Sequence, residues 1–138
     1  MRPKRIDFAA ILTLPDAIAF QDSIGAAARA ARLRDLRNRW TSQLRDVPGI
    51  EILTPEDSRL YGAITSFRLT GAGTATGTGQ ADHHALFAAR LLKEFGVFTV
   101  ARSGLSGGSC IRVTPALANR MTDCDTLADA VKAVVRSS

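Results

Sequence analysis

Apolar positions recur with a helical period in several segments of the chain and alternate with polar ones between them. Residues 8–22 read as a short helix, with Pro15 near a turn or kink. Ser23 or Gly25 separates it from a longer helix running to about Asp46. There Ala28, Leu36, Trp40, Leu44 and Val47 form an apolar stripe and the arginines of "RAARLRDLRNRW" occupy the solvated arc. "VPG" at 47–49 stops that helix. "IEIL" and "AITSFRL", residues 63–69, read as strands, because β-branched and aromatic residues alternate with polar ones in the second. "TGAGTATGTGQ" reads as a flexible surface loop. "ADHHALFAARLLKEFG" follows as a helix, with Phe87, Leu91 and Phe95 on one face and Gly96 at its stop.

"VFTVA" and "CIRVT" are the next two strands. A last helix starts at "TDCD", with Thr122 as N-cap, Asp123 and Asp125 in its first turn, and Leu127, Val131, Val134 and Val135 on its apolar side. The order α-α-β-β-α-β-β-α predicts an α+β fold, a small, mostly antiparallel sheet with helices packed on one face. At 138 residues the chain is expected to form a single domain.

Composition narrows the function without naming it. The chain is 46% hydrophobic and 22% charged, as ordinary globular proteins are, and has no apolar run of the roughly 20 residues a membrane span needs. The basic, then apolar N-terminus is interrupted by Asp7, Pro15 and Asp16 and lacks a cleavage site, so it reads as a structural segment of a cytoplasmic protein. A net charge of +5 raises nucleic-acid binding, but the basic run at 29–40 has no interleaved aromatics for base stacking. No nucleic-acid or membrane partner is expected. Cys110 and Cys124 form no CxxC pair and read as buried free thiols. His83 and His84 point about 100° apart on a helix and cannot share a metal, so no metal site is expected. The glycines at 71, 73, 77 and 79 lack both the P-loop ending and the GxGxxG order.

The chemistry worth following lies in "RSGLSGGSCIRVTP", residues 102–115. A Gly/Ser loop runs into a strand that carries Arg112 between two β-branched residues. Arg112 either lies idle on the solvent face of that strand or reaches into space cleared by the loop to bind an anion.

Several segments in order resemble the C-terminal small domain of class V pyridoxal-phosphate enzymes, a family of aminotransferases and cysteine desulfurases, with the isopenicillin N epimerase-like branch nearest. They are "DFAAILTLPDAIAF", "LRDLRNRWTSQLRDVPGIEILTP", "AITSFRL", "LLKEFGVFTVARSG" and "IRVTPALANRMTDCDTLADAV". The resemblance covers nearly all of residues 1–138, with 1–22 similar to the segment leading in from that family's large domain. It implies that Arg112 forks the α-carboxylate of an amino-acid substrate, and that Arg102 lies near the same edge. It also implies pyridoxal phosphate as cofactor of the complete enzyme, held by a lysine of a large domain. Lys4, Lys93 and Lys132 do not stand in that lysine's setting, and Lys4 and Arg5 replace the usual Gly-Thr pair. The family's desulfurases carry a nucleophilic cysteine in the loop where "RSGLSGGS" has none.

The implied function is a substrate-binding small domain of an aminotransferase- or epimerase-type enzyme, without activity of its own and dependent on a large domain. The alternative is a non-catalytic interaction module derived from that domain. In either case an exposed apolar face predicts self-association.

Overall fold

The computed structural model describes residues 11–70, 78–103 and 108–137. The expectations for Lys4, Arg5, Asp7 and the glycines at 71, 73 and 77 lie outside them, as does most of the Gly/Ser loop. Helices α1 (Leu14–Ile24) and α2 (Ala26–Leu44) lead into strands β1 (Ile50–Ile52) and β2 (Thr65–Leu69). Helix α3 (Thr78–Phe95), strands β3 (Val100–Arg102) and β4 (Cys110–Val113) and helix α4 (Met121–Arg136) complete the order. It is the order expected. The strands form one antiparallel sheet in the order β1-β2-β4-β3.

Register divides the sheet into two faces. Phe67 lies opposite Ile52 and Ile111, and Leu69 lies opposite Ile50. These residues and Val113 point the same way, because side chains alternate along a strand. They meet Leu36, Trp40 and Leu44 of α2, Phe87 and Leu91 of α3, and Leu127, Val131 and Val134 of α4 in one buried cluster. Phe67 stands edge-on to both Trp40 and Phe87, with ring centroids 6.2 and 6.3 Å apart. Helices α2, α3 and α4 therefore cover one face of an α+β sheet. Gly49, at φ 89°, turns the chain from α2 into β1, and its backbone oxygen accepts the Thr70 N–H at 2.9 Å. A side chain there would strain the backbone.

Some boundaries and surfaces differ from expectation. Pro15 sits in the first turn of α1 rather than at a kink, where its missing N–H is harmless. Helix α3 starts at Thr78, inside the stretch read as a loop, and β3 starts three residues later than "VFTVA". Phe95 and Ala28 are exposed although both were placed on apolar stripes. Helix α4 is capped from Arg120, not Thr122: the Asp123 carboxylate turns back to accept the Arg120 backbone N–H at 2.9 Å. That hydrogen bond and the Asn119 side chain hold the Asp123 carboxyl below its ordinary pKa. Asp125 instead takes a two-pronged contact from Arg39 at 2.7 and 3.0 Å, tying α4 to α2.

Arg37 departs most from the sequence reading. It belongs to the arc read as solvated, yet only 2% of it is exposed. The connection between β1 and β2 explains this. Tyr61 lies over the guanidinium, 4.0 Å from ring centroid to Cζ, while Nε donates to Thr65 Oγ1 at 3.1 Å. Aromatic contact and hydrogen bonding offset the burial of that charge.

Candidate carboxylate-binding face

Opposite the helices, the sheet presents its polar phase. Arg112 faces Ser66 on β2 and Val100 on β3, so it stands on an interior strand in the middle of this face. Its neighbours Ile111 and Val113 are buried on the helix side. The Arg112 side chain is half-buried, and its Nε is buried with no hydrogen-bond partner. No carboxylate among the described residues forms an ion pair with it. Arg102 lies opposite Cys110 at the exposed end of the edge strand β3. It shares the face with Arg112, at the diagonal position across the β3–β4 pair.

Sequence reasoning did not single out Arg68, which joins them. It occupies the same phase of β2, and its Nε donates to the Ser109 backbone oxygen at 3.2 Å. Glu51 approaches Arg68 no closer than 3.7 Å and is itself half exposed. Three guanidinium groups thus share a face with one loosely engaged carboxylate. The signal was available in the sequence: "TSFRL" and "CIRVT" each place an arginine on the polar phase of a strand whose other phase is apolar.

A buried histidine shapes the same end of the sheet. Past the Phe67–Ile111 pair, register would put Ser109 opposite Leu69, and the ladder opens there. The Leu69 N–H donates to His84 Nε2 at 3.1 Å, while His84 Nδ1 and Ser109 Oγ stand 2.7 Å apart. With Nε2 accepting, Nδ1 carries the proton and donates to Ser109, which defines the tautomer of the neutral ring. His84 is fully buried, reaching from α3 between the ends of β2 and β4. Gly108, at φ 96°, supplies the left-handed turn just before Ser109. Arg68, His84 and Gly108 together determine where β4 begins, and hence where Arg112 points.

Cys110 and Cys124 are both buried free thiols, as expected. Burial is the largest influence on Cys124 and pushes its thiol up, with Asp123 and Asp125 adding to the effect. No group of three metal-ligating side chains occurs among the described residues. No helix among them is long and apolar enough to cross a membrane.

A planar guanidinium offers two parallel N–H donors that match a carboxylate, and it stays charged when partly desolvated. This face is therefore suited to one small anion carrying that fork.

Comparison with known proteins yields a consistent set. No family model matches the chain. Over 58 residues it is 38% identical to an isopenicillin N epimerase of Streptomyces clavuligerus, a stretch covering 42% of this chain and 15% of the epimerase. The cysteine desulfurase CsdA of Escherichia coli shares the fold over 99% of this chain, with a TM-score of 0.74 and 18% identity. The aminotransferase TlmJ of Streptoalloteichus hindustanus does so over 78%, with a TM-score of 0.59 and 18% identity. The Oryza sativa TDC, solved with PLP and tryptamine, matches over 83%, with a TM-score of 0.67 and 15% identity. This chain spans 33%, 32% and 24% of those three proteins. The expected resemblance is thus found in two forms: in sequence to an isopenicillin N epimerase over 58 residues, and in fold alone to a cysteine desulfurase over nearly the whole chain.

Proposed function

We propose that this chain is the substrate-carboxylate-binding small domain of a pyridoxal-phosphate-dependent enzyme acting on an amino acid. One observation carries the reading: Arg112 projects from the centre of the sheet's open face, half-buried and unpaired, between two further arginines. Arg112 forks the α-carboxylate and Arg102 adds charge at the rim. Arg68 holds the start of β4 in place. The complete enzyme is of the aminotransferase or epimerase type, and the large domain supplies its cofactor site.

The residues present do not fit the cofactor itself. Lys93 is exposed on α3, and Lys132 of α4 pairs with Asp129 at 3.3 Å. Both belong to helices on the other side of the sheet from Arg112. The isolated chain, incubated with pyridoxal phosphate and reduced with borohydride, should show no stoichiometric adduct by mass spectrometry. A single adduct on Lys93 or Lys132 would contradict this division of labour.

Helix α1 supports a missing neighbour. It buries none of its residues, and Leu14, Ile18, Phe20 and Ile24 are all exposed, Phe20 by 63%. A helix this apolar is normally covered. In the complete enzyme the large domain covers it; alone, a second copy does. The isolated chain should self-associate with rising concentration in light scattering, and Ile18→Glu with Phe20→Glu should leave a folded monomer. A wild-type chain that stays monomeric at high concentration would count against a lost interface.

The whole reading is tested by finding the other half. A polypeptide encoded in frame with or beside this chain, carrying the cofactor lysine and co-purifying with it, is the expected result. Its absence would favour the alternative, a non-catalytic interaction module built on the same fold.

A further inference from the structure

A fully buried histidine at the end of the sheet carries a constraint that the arginine face does not use. His84 is 0% exposed and reaches from α3 between β2 and β4. The Leu69 N–H donates to its Nε2 at 3.1 Å, so that nitrogen must keep a lone pair. Nδ1 stands 2.7 Å from Ser109 Oγ, and Ser109 is itself only 5% exposed. The neutral ring with its proton on Nδ1 satisfies both neighbours. The imidazolium does not. Its second N–H, at Nε2, would face the Leu69 N–H, donor against donor, with the ring out of contact with water.

The ionisable groups around the ring come from its own helix and from the strands. On α3, His83 stands edge-on to it, with ring centroids 6.1 Å apart. On β2, Arg68 donates through Nε to the Ser109 backbone oxygen at 3.2 Å, and Glu51 of β1 faces Arg68 at 3.7 Å. On β4, the buried Cys110 thiol follows Ser109. Of these described neighbours two can carry positive charge, and the carboxylate is engaged by Arg68.

We propose that His84 is an acid-sensitive latch between β2 and β4. Above about pH 6.5, the ordinary value for histidine, the neutral ring holds the two strands together and keeps the start of β4 closed. Below it, proton uptake favours a state in which the ring has left its place and Gly108, Ser109 and Cys110 are released. The open state binds the extra proton and the closed state excludes it, so falling pH shifts the balance towards opening. Carboxylates do not blur this window. Asp57, Glu94, Asp123 and Asp125 are held below ordinary values of 3.8 to 4.5, so they lose their charge only in more acidic solution. What the latch does to carboxylate binding by Arg112, further along β4, rests on the function proposed above; the latch itself does not.

Cys110 reports the opening directly, because its buried thiol begins the released strand, while Cys124 on α4 reports unfolding of the helix layer. The intact chain is labelled with a pyridyl disulfide, which reacts with thiols in acid as well as at neutral pH. Mass spectrometry then assigns the label to each cysteine. Labelling of Cys110 relative to Cys124 should rise about tenfold between about pH 7.5 and 5.5. His84→Gln keeps an acceptor for the Leu69 N–H without a titratable ring, and should reduce that rise to less than about twofold. His83→Gln should leave the rise intact, and with the wild-type ratio it tests the latch without disturbing the buried ring. A ratio that stays constant over this range would overturn the proposal, whether both cysteines react slowly or both accelerate together. So would a full rise in His84→Gln, or its loss in His83→Gln.

Discussion

Replacing Arg112 by alanine should leave the isolated chain as stable as before and cripple amino-acid binding in the complete, cofactor-loaded enzyme. Stability should change by no more than about 0.5 kcal/mol, because no ion pair is broken and the buried Nε has no partner to lose. Binding is a different matter. A two-pronged charged contact in a partly dry cleft contributes about 3 kcal/mol, so affinity should fall roughly 100-fold. Arg112→Lys should recover little of it, since an ammonium is a point charge without the planar fork. Thermal melts of the isolated chain and amino-acid titrations of the complete enzyme check the two halves separately. A large stability loss would mean that Arg112 serves the fold.

His84→Ala should have the largest effect on stability among the residues near the site. The substitution removes a fully buried ring and leaves the Leu69 N–H, at the point where the β2–β4 ladder opens, without its acceptor. Cavity and lost hydrogen bonding together cost about 2–4 kcal/mol. For a chain of this size that lowers the melting temperature by about 10 °C. His84→Gln should lose less, because its side-chain oxygen can take the Nε2 position and accept the same N–H. A His84→Ala variant that melts with the wild type would show that the ring does not hold β2 and β4 in register.

Much of this architecture is legible from local chemistry. "IEIL", "AITSFRL" and "CIRVT" display a period of two, and the outer phase of the last announces Arg112 on the open face. Leu36, Trp40 and Leu44 are readable as core at helical spacing. What escaped depends on contacts distant in sequence. Arg37 sits in an arginine-rich run that reads as solvated, yet it is buried where Tyr61 lies over it and Thr65 accepts from it. Asp125 looks like a helix-dipole residue until Arg39 of another helix claims it. His84 is one of two adjacent histidines, and nothing local says that it replaces a rung of the ladder beside Ser109. Arg68 joins Arg112 only through the β2–β4 register, which no single segment encodes.

Carboxylate recognition by Arg112 is tested most directly with a matched pair of ligands, an amino acid and the primary amine that lacks only its carboxylate. Affinities of both should be measured in the complete enzyme, with the native chain and with Arg112→Ala. The native enzyme should prefer the amino acid by about 100-fold, and Arg112→Ala should bind the two nearly equally, with affinity for the amine almost unchanged. A variant that keeps the full preference for the amino acid would contradict the assignment.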